Sequence, residues 1–345
     1  MHKRLLSSSF LAILITFVML GTTFLFWKTK QDEIFNSQKN VFSKSTSRIA
    51  DKINSRLIGY ELILSGVKGF YENSTVVTRS EFVNYVETIN FEKNGHGLLA
   101  ISLIQFVPDS KRNDYIVMMH EQGYKDYKIV PEGIRSGYAP ITYIYPESEN
   151  NLKVVGFDLL SKPSVSPLLI RARDTGHMAM TGRIKLVQDS QTQGNSAQVI
   201  YVPIYNKQKS ILTLSERRIA ISGWVSAPFR FRNLMSSLPN PVDDGINLDI
   251  YEGNVIDSNK HLYGSGRSHQ IKRHDVQFFT SNTINVGGQQ WTLGFSTLPT
   301  FDENFNVSTH HWLAVLGAGF SILSGSLVWL LGVGRNNALI LAEQM

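Results

Sequence analysis

The chain has 345 residues, a net charge of +6 and no cysteine. The lack of cysteine excludes disulfide scaffolds, thiol catalysis and cysteine-ligated metal sites. The positive excess is modest and is not gathered into a block of Lys and Arg, so the composition argues against a nucleic-acid partner.

Two charge-free apolar segments, residues 10–27 and 312–333, lie near the ends of the chain. Because a membrane-spanning helix needs about 20 apolar residues, both segments predict transmembrane helices. A cleaved secretory signal peptide is the alternative for the first segment. The residues around Trp27, however, lack the small-x-small pattern of a cleavage site.

The distribution of basic residues predicts the orientation. Arg335 follows the second apolar segment after a long stretch without Lys or Arg. Since positive charge favours the cytoplasmic side, we expect a two-pass protein of the bacterial inner membrane. The tails 1–9 and 334–345 are then cytoplasmic, residues 28–311 are periplasmic, and the second tail is the start of a cytoplasmic signalling helix.

Residues 28–76 predict one long stalk helix that continues out of the membrane. Within this range, residues 31–70 contain no proline, and their apolar residues recur at 3-, 4- and 7-residue steps. Phe35, Phe42 and Ile49 lie seven residues apart and predict a short homodimer seam in the stalk. The alternative is a helix that packs along its whole length on the core of its own domain.

Residues 77–232 predict a mixed lobe in which short strands and helices alternate. Its predicted helices are Ser80–Asn90, capped by Thr78 or Ser80; Lys111–Gln122, capped by Asp109 or Ser110; and Val165–Thr175, stopped by Gly176. Its predicted strands are Gly97–Val107, Tyr127–Val130, Ile141–Tyr145, Val154–Phe157, Arg183–Gln188, Gln198–Ile204 and Ile219–Val225.

Residues 233–308 predict a second, mainly antiparallel lobe next to the membrane. Its predicted strands are Asn247–Glu252, Val276–Thr280, Ile284–Val286 and Gln290–Phe295, with a turn at Gly287-Gly288. The predicted fold class is therefore α+β, with a long N-terminal stalk helix, two lobes and two flanking transmembrane helices.

The sequence contains no motif typical of a catalytic or metal site. It lacks the GxSxG, HExxH and Walker patterns, and Gly264-Ser265-Gly266 has the context of a hairpin turn. His310-His311 is a poor metal pair, because adjacent histidines on a helix project in different directions. We therefore predict a protein that is not an enzyme, with no catalytic residue, no metal and no cofactor.

Several dispersed motifs occur in the central part of the chain: Gly156-Phe157-Asp158-Leu159-Leu160-Ser161, Arg171-Ala172-Arg173-Asp174-Thr175-Gly176, Thr181-Gly182-Arg183-Ile184-Lys185-Leu186-Val187-Gln188, Tyr201-Val202-Pro203-Ile204-Tyr205 and Gly223-Trp224-Val225-Ser226-Ala227-Pro228-Phe229-Arg230. In order and spacing they resemble the CHASE family, the extracellular sensor domain of plant cytokinin receptors and of many bacterial membrane signalling proteins. The resemblance covers roughly residues 70–232.

The resemblance implies a long stalk helix followed by two PAS-like lobes, of which the membrane-distal lobe holds a small organic ligand. Family members are usually followed by a histidine kinase or cyclic-di-nucleotide enzyme module. The expected function is thus a membrane-anchored extracytoplasmic sensor that transmits a conformational change across the membrane. The alternative is the input portion of a signalling enzyme whose catalytic module is absent from this sequence.

The resemblance also implies ligand-binding residues. Asp158 matches an aspartate that hydrogen-bonds the adenine-like ring in the plant receptors. Met180 matches a position whose backbone groups face the ligand, and Thr181 lies beside it. Asp189 or Ser190 stands where a polar side chain, or its water, completes the pocket.

Other roles stay open for these positions. The carboxylate of Asp158 has the alternative of being satisfied by Arg171, Arg173 or backbone amides. Lys162-Pro163 departs from the plant pattern, so an adenine-type compound is only one candidate ligand. Thr175 matches a threonine important to receptor function but also suits a structural role at a helix end. Candidate aromatic walls, with core packing as the alternative, are Tyr138, Tyr143, Tyr145 and Tyr201.

Overall fold

The structure, a computed structural model, describes residues 2–90, 95, 97–184, 186, 197–266, 276–303, 305 and 307–343. Helix α1 (His2–Asn73) and the last helix, α9 (Val307–Glu343), each contain a stretch long and apolar enough to cross a membrane. Only 6% and 11% of their most apolar windows are buried within the chain. Such exposure is not that of core helices in a soluble protein, because core helices bury their apolar residues.

Residues 1–45 and 297–345 form one compact unit, which includes the short helix α8 (Thr300–Glu303). In this unit the two apolar helices pack through small residues. Gly317, Ser321 and Gly325 repeat every four residues on α9 and so share one face. A Cβ atom at Gly317 would lie 2.5 Å from the Thr23 side chain, and one at Gly325 would collide with Thr16. Small residues at this spacing allow helix backbones to approach closely, as is common between helices in membranes.

We expect a disulfide to form when Thr23 and Gly317 are both replaced by cysteine. The Cβ position at Gly317 lies 3.5 Å from the Cβ atom of Thr23, within the range of natural disulfides. The chain has no cysteine of its own, so the engineered pair is unique. Because both cysteines are then held in the disulfide, neither should react with maleimide-polyethylene glycol in a gel-shift assay of the full-length protein. Both should react after reduction.

The matched control is Thr23→Cys with Gly319→Cys. In the described part of the chain, a Cβ atom at Gly319 meets nothing within 4 Å. This pair should therefore keep its thiols reactive. Equal reactivity of the two pairs would contradict the described packing of α1 on α9.

The predicted dimer seam on the stalk is wrong at two of its three positions. Phe42 is 4% exposed and packs edge-on against Phe301, with the ring centroids 6.2 Å apart. Ile49 is 7% exposed, whereas Phe35 is 48% exposed. The seven-residue spacing is real, but the burial of Phe42 and Ile49 within the chain leaves them unavailable for a seam. The alternative of a helix packed on its own domain along its whole length is not confirmed either, because Phe35 is half exposed.

Residues 46–296 form the second compact unit, built around a five-stranded antiparallel sheet. The strand order is β4-β1-β7-β6-β5, with bounds β1 Ile101–Gln105, β4 Ile141–Tyr145, β5 Ala179–Met180, β6 Gln198–Tyr205 and β7 Ile221–Phe229. A separate two-stranded ladder joins β2 (Val107–Pro108) to β3 (Gly137–Tyr138). The helices of this unit after α1 are α2 Arg79–Ile89, α3 Arg112–Glu121, α4 Glu149–Leu152, α5 Ser166–Thr175, α6 Leu214–Ala220 and α7 Phe231–Ser236.

The two faces of this sheet have different neighbours. On one face, Phe229 of β7 contacts Tyr60 of α1 with ring centroids 5.7 Å apart, and Tyr143 of β4 contacts Phe82 of α2 at 5.8 Å. On the other face, Trp224 of β7 donates its indole N–H to the Leu169 carbonyl of α5. Alternate residues of a strand point to opposite faces, so each strand serves both layers.

Helix caps decide two of the alternatives left by the sequence. Thr78 caps α2 and forms a reciprocal capping box with Glu81. A 3₁₀ turn at Asp109–Lys111 precedes α3, whose first turn has no side-chain cap, so the predicted cap at Asp109 or Ser110 is wrong. The Asp109 carboxylate instead accepts a hydrogen bond from the Tyr138 hydroxyl at 2.7 Å.

Three predicted strands of this unit differ from the structure. Val154–Phe157 consists of turns after α4, and Tyr127–Val130 is reduced to one bridge between Val130 and Phe157. The predicted strand Ile219–Val225 begins too early, because the capping box of Thr213 and Glu216 starts α6 and delays β7. Part of the predicted strand Arg183–Gln188 lies outside the described residues, and Ile184 forms a bridge to Ala197.

A four-stranded antiparallel sheet follows within the same unit, in the order β10-β11-β8-β9. Its strands are β8 Ile246–Glu252, β9 His261–Gly264, β10 Phe279–Val286 and β11 Gln289–Thr297. The two strands predicted at Val276–Thr280 and Ile284–Val286 thus give way to a single strand. The predicted turn at Gly287-Gly288 is present, with φ values of 54° and 78° that favour glycine at both positions.

Candidate functional site

The five-stranded sheet forms the floor of a cavity of about 70 Å³. The cover consists of the connection between β4 and α5 together with residues that follow β5. Most lining side chains are apolar, as is usual for small-molecule sites. They are Ser102, Ile141, Ile144, Val154, Phe157, Leu159, Lys162, Val165, Ile184, Leu186, Val199, Tyr201, Ser226 and Pro228.

Three hydroxyl side chains form a row across the cavity floor. Ser102 of β1 is the register partner of Ser226 of β7, and Ser226 is also the partner of Tyr201 of β6. Neighbouring strands lie about 4.8 Å apart, so the row spans roughly 10 Å between the outer two Cα atoms. We call Ser102, Ser226 and Tyr201 the hydroxyl row.

The hydroxyl row is buried yet has unused hydrogen-bonding capacity. Its members are only 2–4% exposed. Among the described residues, no side-chain hydrogen-bond partner is found for any of the three hydroxyls. Burial raises the pKa of Tyr201, so its hydroxyl stays protonated and can donate at any physiological pH. A polar ligand group over the floor would satisfy these hydroxyls.

Asp158 is fully buried beside the cavity but does not line it. Its Oδ1 accepts hydrogen bonds from the backbone N–H groups of Ala139 at 2.8 Å and Leu160 at 3.0 Å. Arg135 Nε lies 2.9 Å from Oδ2, although its N–H is not aimed well enough for a hydrogen bond. Asp158 therefore links the residue after β3 to the 3₁₀ turn Leu159–Ser161 through two hydrogen bonds from backbone amides.

The arginine partners suggested by the sequence are wrong, whereas the suggested backbone amides are confirmed. Arg171 donates to the Gly288 carbonyl at 3.2 Å, and Arg173 pairs with Asp174 at 2.7 Å. The neighbours Phe157 and Leu159 face the cavity. A direct contact between Asp158 and a ligand stays a prediction.

Met180 and Thr181 lie at the sheet edge next to the cavity floor. The Met180 N–H donates to the Gly287 carbonyl at 3.0 Å, and its carbonyl accepts from Gln289 Nε2 at 3.0 Å. The Thr181 hydroxyl accepts from the N–H of Val199, a lining residue, at 3.0 Å. Both backbone groups of Met180 and the Thr181 hydroxyl thus have protein partners. Their ligand contacts stay predictions.

Asp189 and Ser190 lie outside the described residues. Thr175 donates its hydroxyl to the Arg171 carbonyl at 2.8 Å and accepts from the His177 N–H, which is the structural role at a helix end. Of the four candidate aromatic walls, Tyr201 lines the cavity. Tyr143 packs instead on the opposite face of the sheet.

Sequence reasoning missed Ser102, Ser226 and Lys162 as cavity residues. A usable signal was present for the serines, because each interrupts an otherwise apolar run in a buried strand. The departure at Lys162 from the plant pattern was visible too. The alignment of Ser102 with Ser226 depends on strand pairing, which the local sequence does not specify.

Comparison with known families identifies the domain that contains the cavity. The sequence profile of the CHASE domain matches residues 75–263, more than half of the chain. The chain belongs to the CHASE domain family. The match contains the whole cavity lining and extends into the second sheet through β8 and most of β9. A CHASE domain is a sensory input domain and not a catalytic one, in agreement with the expected sensor of signalling proteins.

A curated relative of the CHASE-containing chain is the hybrid signal transduction histidine kinase A of Dictyostelium discoideum, 24% identical over 200 residues. The match covers 51% of this chain and 9% of that protein's length. A similar solved structure is the periplasmic sensory domain of the Campylobacter jejuni chemoreceptor Tlp1, with 12% identity and a TM-score of 0.44. That alignment covers 77% of this chain and 95% of the other.

Proposed function

We propose that the protein is a membrane-anchored extracytoplasmic sensor that binds a small organic ligand in the cavity over the hydroxyl row. The observation that carries this proposal is a mainly apolar cavity inside a CHASE domain with three buried hydroxyls on its floor and no described partner for them. These hydroxyls border the cavity, so a ligand with polar groups can hydrogen-bond them directly. An adenine-type compound remains one candidate.

We further propose a two-pass topology in a bacterial inner membrane. Both apolar helices are exposed, and they pack on each other through Gly317 and Gly325. The positive charge at Arg335 favours cytoplasmic tails. The proposed segments are tail 1–9, transmembrane helix 10–27, stalk 28–76, sensor lobe 77–232, membrane-proximal lobe 233–308, transmembrane helix 312–333 and tail 334–345, with both lobes PAS-like.

The proposed signal path leaves the cavity through the sheet. β5 holds the turn of the second sheet through the Met180 bonds to Gly287 and Gln289. On the opposite face the same sheet packs on α1, where Ile53, Leu57, Tyr60, Leu64 and Val67 are at most 1% exposed. A ligand that prefers one arrangement of these layers shifts the equilibrium by no more than that preference. The shift is relayed through α1 and the second apolar helix.

A homodimer through the stalk helix remains part of the proposal, with a changed seam. Because Phe42 and Ile49 are buried, the exposed apolar residues Ile58 and Leu62 replace them as candidates. They lie four residues apart and therefore share one face of α1.

The second candidate function is the input portion of a signalling enzyme. The observation that favours it is the Dictyostelium relative, a hybrid histidine kinase that the match covers over only 9% of its length. Sequencing the gene beyond codon 345 separates the two: an open reading frame that encodes a kinase or a cyclic-di-nucleotide enzyme supports this candidate. An immediate stop codon contradicts it.

A thermal-shift screen of the full-length protein in detergent micelles tests ligand binding. A compound present at 100 times its Kd stabilises the folded state by about 2.7 kcal/mol. The screen should contain adenine-type compounds and other small metabolites. We expect members of one chemical class to raise the melting temperature. A broad metabolite panel without any effect contradicts a small-ligand sensor.

A further inference from the structure

The cover of the cavity carries one cation whose partner is absent from the described chain. Lys162 is the charged residue among the described residues that line the cavity. No described residue forms an ion pair or side-chain hydrogen bond with its ammonium group. The side chain is half-buried, so apolar neighbours replace part of its water.

The backbone holds Lys162 in this position. Its N–H donates to the Leu159 carbonyl at 3.2 Å and so ends the 3₁₀ turn. Its own carbonyl accepts from the N–H groups of Val165 and Ser166, both at 2.9 Å. Pro163 follows and fixes the next φ angle. Lys162 is therefore part of an ordered cover and not a surface side chain that happens to lie near the opening.

We infer that the ligand is a small organic acid: an apolar body that fills the cavity, with a carboxylate that pairs with Lys162. This inference rests on the proposed ligand-binding function. A neutral ligand would strip water from the ammonium group and give no charge in return, and an uncompensated buried charge is costly. A carboxylate offsets that cost through a charge-assisted hydrogen bond. The hydroxyl row then serves polar atoms at the far side of the ligand body.

The test compares each acid with its own primary amide, because the two differ in charge but hardly in shape. The probes are 4-hydroxyphenylacetate, indole-3-acetate and 4-methylpentanoate, each beside its amide, with adenine as a neutral planar compound. Binding is followed by thermal shift and calorimetry on the full-length protein in detergent. We expect acids to bind the wild type at least tenfold more tightly than their amides.

Two variants show whether Lys162 causes that preference. Lys162→Met should abolish the preference, so that acids bind no more tightly than their amides. Lys153→Met removes a 59%-exposed lysine that pairs with Glu149 and should keep the preference. Equal binding of acid and amide by the wild type overturns the inference. So does an acid preference that survives in Lys162→Met.

The outcomes also separate this inference from the proposed function. If adenine or the amides bind and the acids do not, the organic-acid assignment fails and the sensor cavity stands. If Ser226→Leu, which fills the floor, binds every compound as the wild type does, the cavity is not the site and the proposed function fails with it. If none of the probes binds, the organic-acid assignment is overturned.

Discussion

Replacing Asp158 with alanine should destabilise the protein by about 3–5 kcal/mol, the usual cost of breaking a buried charge pair. The carboxylate is fully buried and accepts from the Ala139 and Leu160 amides. Its loss leaves both N–H groups without an acceptor and Arg135 without its counter-charge. At 2–4 °C per kcal/mol, the melting temperature should fall by roughly 6–20 °C.

Asp158→Asn is the informative comparison, because the amide oxygen can still accept from the two backbone N–H groups. We expect it to lose less than half as much stability as Asp158→Ala. Asp114→Ala, which removes an exposed carboxylate paired with Lys111, should change the melting temperature very little. If Asp158→Ala melted within two degrees of the wild type, the described network around this carboxylate would be wrong.

The melting temperatures of Ser226→Leu and Ala227→Leu should differ sharply, although the two residues are neighbours on β7. Ser226 faces the cavity, where a leucine side chain finds space. Ala227 points to the opposite face, is 0% exposed and has packed neighbours. Overpacking a filled core costs about 1–3 kcal/mol, so Ala227→Leu should melt lower and Ser226→Leu should not. Thermal unfolding without ligand, followed by circular dichroism, checks this pair.

Equal destabilisation by the two leucines would mean that the space over Ser226 is already filled. The cavity would then not exist as described. A higher melting temperature for Ser226→Leu than for the wild type would instead strengthen the case, because a side chain that fills an empty apolar space gains packing contacts.

Local chemistry explains which parts of the fold the sequence predicts well. The helix that ends at Thr175 is confirmed at its C-terminus, because Gly176 adopts the left-handed conformation with φ 77°. The turn at Gly287-Gly288 is confirmed for the same kind of reason. Such signals lie within a few residues of the element that they end.

Contacts between distant residues explain the errors. Asp109 is a residue type that favours helix caps, but its carboxylate instead accepts a hydrogen bond from the hydroxyl of Tyr138, 29 residues further along the chain. The cavity shows the same limit, since Ser102 and Ser226 become neighbours only through the register of β1 with β7. The family resemblance identified the sensor domain correctly. It did not indicate the hydroxyl row.

The central claim is that a small ligand binds over the hydroxyl row of the CHASE domain. Its most direct test is a ligand-dependent thermal shift measured in parallel on the wild type and on Ser226→Leu, both full-length in detergent. We predict that a compound which raises the melting temperature of the wild type leaves that of Ser226→Leu unchanged, because leucine occupies the ligand's place. An equal shift in both proteins would contradict the claim.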